Sequence, residues 1–107
     1  MLTKIKDSMV KVQQKTVPAT SSALTVSGTC AFYGISIRTD GTNDITLNLY
    51  DSLAASGVRL LPSNIIIYGV SGFTSISFET GILCDIGIYV STACTGTYEY
   101  QVYYDKD

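Results

Sequence analysis

Asp40, Asp44 and Asp51 fall at positions 1, 5 and 12 of a twelve-residue window, a spacing that invites comparison with a calcium-binding loop. The window departs from that pattern where it matters. Position 6 is Ile45 instead of the Gly that the sharp turn requires, position 12 is Asp instead of a bidentate Glu, and the second half alternates like a strand. Ordinary Asx-turn chemistry is expected there, and no metal. Glu79 and Asp85 are the other acids close enough in sequence to act as a carboxylate pair, which would make a small hydrolase; exposed strand-edge charges are the favoured reading. Cys30, Cys84 and Cys94 form an odd set at spacings that match neither a redox pair nor a zinc knuckle. They read as small buried or half-buried hydrophobes in a chain made in a reducing cytoplasm, with a Cys84–Cys94 bridge flanking one hairpin as the alternative. Histidine is absent, which removes the usual general base near neutral pH and every triad built on imidazole. Gly69-Val70-Ser71-Gly72 lacks the spacing of a nucleophile elbow, and there is no phosphate-cradling glycine loop. The chain is therefore expected to have no catalytic residue, no cofactor and no small-molecule substrate.

The elements that must position these groups are β-strands. The chain has 107 residues, 46% hydrophobic and 15% charged, enough for one core and no second. Cys30 to Arg38 puts Ala31, Tyr33, Ile35 and Ile37 on one face, and Ile45 to Tyr50 puts Ile45, Leu47 and Leu49 on one face. Thr39 to Asp44 between them, rich in Gly, Asn and Asp, is expected to close a β-hairpin. Val58 to Leu61 reads as a short strand and Asn64 to Val70 as a strand buried on both faces. Gly81 to Ser91 reads as one alternating strand, and Tyr98 to Tyr104 closes the fold with Tyr98, Tyr100, Val102 and Tyr104 aligned. Seven or eight short strands with regular turn signals specify an all-β fold, a single jelly-roll-like antiparallel β-sandwich over 23–107.

Residues 1–22 read as an extended N-terminal arm. Lys4, Lys6, Lys11 and Lys15 oppose only Asp7 in the first fifteen residues, while the remaining body carries three basic against eight acidic side chains. Leu2, Ile5, Met9 and Val12 form a short apolar stripe at helical spacing, too short to be stable in water without a partner. No secretory signal and no membrane-spanning segment is expected. The acidic body and the arm's lack of interleaved aromatics argue against nucleic acid. An arm of about 20 residues reaches about 65 Å when extended, well past the domain that carries it. Leu2, Lys4, Ile5, Lys6, Met9, Lys11, Val12 and Lys15 are thus the candidate partner-binding residues, and Tyr98, Tyr100, Tyr103 and Tyr104 the candidate oligomer interface.

Gly34 in the first long strand, the Tyr50-Asp51 pair ending the next, the Phe78-x-x-Gly81-Ile82 segment and the Tyr-rich last strand resemble the small jelly-roll structural proteins of tailed bacteriophages, capsid decoration or cement proteins in particular. The resemblance implies a homotrimer that binds the major capsid protein on the outside of the virion, made in the host cytoplasm, its N-terminal arms tying neighbouring capsid subunits together. Another reading is a receptor- or glycan-binding module of a phage fibre or tail, in which the four tyrosines of the last strand would meet the ligand.

Overall fold

The computed structural model describes residues 15–106. Among the described residues nine strands follow one another: β1 (Lys15–Ala19), β2 (Ala23–Ser27), β3 (Cys30–Arg38), β4 (Ile45–Asp51), β5 (Val58–Arg59), β6 (Ile65–Ile67), β7 (Phe73–Cys84), β8 (Gly87–Ala93) and β9 (Glu99–Asp105). A single 3₁₀ turn, Gly69–Ser71, interrupts them, and no helix among the described residues is long and apolar enough to cross a membrane.

The strands form two antiparallel sheets. One has the order β1-β9-β3-β7; the other has β2-β8-β4-β5, with β6 pairing β4 beside β5. The pairings nest: β1 with β9, β2 with β8, β3 with β7, and β4 with β5 and β6. A long antiparallel ribbon, closed near β4–β6, has thus been rolled until β3 meets β9 and β4 meets β8. That is the jelly roll, and the fold expected from strand count and turn spacing is present.

The inner faces are built by the period-2 alternation. Ile35 lies opposite Val102 and Ile37 opposite Tyr100 in the first sheet, while Leu49 lies opposite Val90 in the second. All six are buried to 1% exposure or less and meet in one core with Phe32, Ile45, Leu47 and Ile88. Each such aliphatic side chain contributes about 1.5–3 kcal/mol on burial. Gly34 sits in β3 because a Cβ there would run into the carbonyl oxygen of Ile76 on β7.

Several local expectations are corrected by this topology. Thr39–Asp44 is not a hairpin turn, since β3 and β4 lie in different sheets; it is a crossover from one layer to the other. Gly81 to Ser91 is not one strand: β7 ends at Cys84, the chain turns at Asp85-Ile86, and β8 begins at Gly87 in the opposite sheet. The Asn64–Val70 segment is not buried on both faces either. Only Ile65–Ile67 is strand, at a sheet edge, with Ile66 exposed and Val70 82% exposed.

Lys15–Ala19, which composition placed in the arm, is an edge strand paired with β9 from Lys15↔Tyr104 to Ala19↔Tyr100. Pro18 is compatible with that role because an edge strand leaves one row of N–H groups without ladder partners. The remaining arm candidates Leu2, Lys4, Ile5, Lys6, Met9, Lys11 and Val12 lie outside the described residues.

Candidate functional site

The carboxylates singled out by spacing are dispersed by the fold, and each is occupied locally. Asp40 Oδ1 accepts from the backbone N–H groups of Thr42 (2.9 Å) and Asn43 (2.8 Å), and Oδ2 accepts from the Asn43 side-chain amide at 2.6 Å. Those donors, the Asn43 N–H foremost, hold its carboxyl down at about 2. Asp44 Oδ1 accepts from Gly69 N at 2.8 Å, tying the crossover loop to the 3₁₀ turn. Gly69 is required there because any Cβ would meet the backbone of Thr42 and Asn43. Asp51 Oδ2 accepts from Asp85 N (3.0 Å), and its Oδ1 accepts from Ile86 N (2.9 Å) and Gly87 N (3.2 Å), closing the turn between β7 and β8. Three aspartates that looked like ligands are thus three separate loop fasteners, and among the described residues no group of three acids, cysteines or histidines converges. Glu79 is exposed in the four-residue excursion of β7 opposite Tyr33, between the Phe32↔Ile82 and Gly34↔Ser77 pairs; Asp85 is exposed in the turn that follows β7.

The cysteines are free thiols in an arrangement that spacing alone did not suggest. Cys84 lies directly opposite Cys30 across β3 and β7, both are buried, and Cys94 is on a different segment, half-buried. Cys84 Sγ donates to Ile82 O at 3.6 Å; the closeness of the two thiols makes the first proton easier to remove from Cys30 and, together with burial, holds Cys84 firmly protonated. Iodoacetamide at neutral pH is accordingly expected to label Cys94 alone in the native protein, with Cys30 and Cys84 reacting only after unfolding; peptide mass spectrometry reads this directly.

The tyrosines of the last strand divide between two faces. Tyr100 is 1% exposed in the core, its hydroxyl donating to Ser21 O at 2.6 Å, which corrects its place among surface interface residues. Tyr98 and Tyr104 pack half-buried against the same core. Simple alternation along β9 puts Tyr103 on the opposite face, where its hydroxyl accepts from Ser36 Oγ at 3.0 Å; the bulge at Tyr33 in β3 instead brings Phe32 onto the core face with Ile35.

That outer face of the β1-β9-β3-β7 sheet carries an open hollow of about 130 Å³. Its origin is a row pattern set by register. Phe73, Arg38 and Glu99 form one row across β7, β3 and β9; Ser75, Ser36 and Gln101 form the next; Ser77, Gly34 and Tyr103 the third. Short side chains occupy the middle and longer ones the margin, so the surface is dished. Ser36 is buried at the floor, within hydrogen-bond reach of Ser75 Oγ at 3.3 Å. Arg38 and Glu99 face each other at 3.8 Å with both side chains mostly exposed, and the Phe73 ring is 58% exposed. Of these residues only Tyr103 was anticipated. Alternation identifies which residues of a strand point outward, but not which residues of three different strands stand side by side.

A second surface feature lies on the other sheet. Beyond β4, Ile66 on β6, Tyr68 after it and Val70 in the 3₁₀ turn are exposed at alternate positions by 42, 61 and 82%; Val58 on β5, 69% exposed, lies farther along the same edge, opposite Asp51 and so on the other face from Ile66, which is opposite Thr46. No family model matches the chain, and neither curated proteins nor solved structures give a match.

Proposed function

We propose that this protein is a non-catalytic assembly module: an oligomer of jelly rolls that attaches to the outside of a larger protein shell and stabilises it, as capsid decoration proteins do. The observation that carries the reading is the set of exposed apolar side chains at the β5–β6 edge, Ile66, Tyr68 and Val70 at alternate positions with Val58 farther along it. Monomeric proteins rarely leave a run of large apolar side chains in water, and such surfaces mark contacts with other proteins. β5 and β6 are also only two and three residues long, so this edge is poorly suited to open-ended strand addition and suited to side-chain packing against another subunit. The jelly roll supports the reading as an analogy, since viral capsid domains share it. The charge division, basic over the first fifteen residues and acidic over the body, suits a segment that reaches onto an acidic neighbour.

Light scattering after size exclusion should give a whole-number multiple of 11.5 kDa, three being the expected multiple, and the double variant Val58→Asp/Val70→Asp should shift it to the single-chain mass. A single-chain mass for the unmodified protein at about 100 μM would overturn the proposal, because stable interfaces hold together well below that concentration. The role of the basic segment is tested by removing residues 1–14, which spares the strand paired with β9. Cosedimentation with tailed-phage capsids should then fall while the melting temperature stays within about 2 °C, whereas removing 1–19 should also lower the melting temperature by uncovering β9.

A further inference from the structure

We propose that the dished outer face of the β1-β9-β3-β7 sheet is a binding site for one ring of a neutral saccharide. A pyranose has an apolar C–H face and a rim of hydroxyls that both donate and accept, so its site needs an exposed aromatic ring beside donors and acceptors in a fixed pattern. The hollow supplies each. Phe73, at the edge of the sheet, presents a ring that the core does not use. Arg38 offers guanidinium donors, Glu99 and Gln101 offer acceptors, and Ser36 and Tyr103 form a hydrogen-bonded hydroxyl floor. These groups stand on three neighbouring strands whose register fixes the spacing of their backbone positions.

Charge decides against an anion. Arg38 and Glu99 pair with each other at 3.8 Å on one margin of the hollow, so a phosphate or carboxylate drawn to the guanidinium would also meet the Glu99 carboxylate. A neutral polyol can hydrogen-bond to the outer atoms of the pair without breaking it. Size sets the extent: about 130 Å³ is well below the ~300–1,000 Å³ of pockets that enclose drug-sized ligands, so one ring is held and the rest of a glycan chain lies in solvent. Such a site binds weakly alone, with Kd near 1–10 mM expected, and copies in an oligomer would raise its effect through avidity. The site rests on residues separate from the apolar edge and does not depend on the assembly reading.

The test is an amide-shift NMR titration of the ¹⁵N-labelled full chain with methyl glycosides of glucose, galactose, mannose and N-acetylglucosamine, each to about 50 mM. At least one is expected to give saturable shifts confined to residues 36–38, 73–75 and 99–103. Phe73→Ala should weaken that binding about 3- to 10-fold with spectral dispersion retained, and Gln101→Ala should weaken it as well. Thr46→Ala, on the other sheet, should leave it unchanged. The Val58→Asp/Val70→Asp variant should keep the site intact, which separates this proposal from the assembly reading. Absence of saturable shifts with all four glycosides, shifts elsewhere on the molecule, or full binding by Phe73→Ala would each overturn it.

Discussion

Tyr100→Ala should lower the stability of the protein by about 3–5 kcal/mol, enough to unfold a domain of this size. Its ring is among the largest fully buried side chains, packed on the inner face of β9 opposite Ile37 of β3. Removing it leaves a cavity bordered by both sheets that a close-packed interior closes only in part. The same substitution deletes the hydroxyl that donates to Ser21 O, and Ser21 lies in the link by which the chain leaves β1 in one sheet for β2 in the other. Burial pushes the Tyr100 hydroxyl above its usual range, so it is protonated and donating at any physiological pH. Tyr100→Phe keeps the ring and isolates that hydrogen bond: a loss of about 1–2 kcal/mol is expected. Urea unfolding followed by tyrosine fluorescence or circular dichroism measures both. Were Tyr100 instead a surface contact between subunits, Tyr100→Ala would dissociate the oligomer and leave the monomer's unfolding midpoint nearly unchanged.

Asp51→Ala should cost about 3 kcal/mol, an unusual amount for a residue at a strand end. Its carboxylate is the acceptor for three consecutive N–H groups, Asp85 to Gly87, at the point where the chain passes from β7 to β8 and therefore from one sheet to the other. Gly87 is in register with Ser27 of β2, and a Cβ at this position would run into Val26 O, so the turn must close on a glycine here. Partial burial by itself pushes the Asp51 carboxyl upward; the N–H groups of Ile86, Asp85 and Gly87 together outweigh it and hold the group below its ordinary value. A carboxyl lowered in the folded state contributes stability that is fully present above the unfolded value of about 3.9 and is lost as pH falls through the lower folded value. The gap in unfolding free energy between the unmodified protein and Asp51→Ala should therefore be full at pH 7 and shrink in acid below about pH 4. A gap that stays constant down to pH 2 would show that the N–H groups are not held by the ionised carboxylate.

The two substitutions mark different limits of what alternation in a sequence conveys. Tyr100 was placed on the correct strand, aligned with Val102 and Tyr104, but period 2 separates two faces without saying which is inside. Tyrosine is amphipathic enough to serve either, and only the second sheet packed over it decides. Asp51 belonged to a spacing that resembles a calcium loop, and the spacing was informative about turn chemistry alone. The donors it serves lie 34 to 36 residues onward, which no local window contains. Cys30 and Cys84 pair for the same reason: the ribbon must be rolled before β3 and β7 are neighbours, and Cys94, nearer to Cys84 in sequence, is carried away with the other sheet.

Composition and periodicity by themselves determined that this chain is an all-β sandwich with a single core, that imidazole chemistry is absent from it, and that its charge is divided between a basic N-terminal stretch and an acidic body. These follow from quantities that are local or summed: side-chain volume, branching, alternation and charge. The tertiary structure alone decided that Lys15–Ala19 is a strand, that the Gly-rich segment after β3 crosses between layers, and that Phe73, Arg38 and Glu99 stand in one row. Each depends on register between strands distant in sequence, set by closure of the ribbon and by the bulge opposite Tyr33, so the face that could receive a ligand exists only once the sheets have formed.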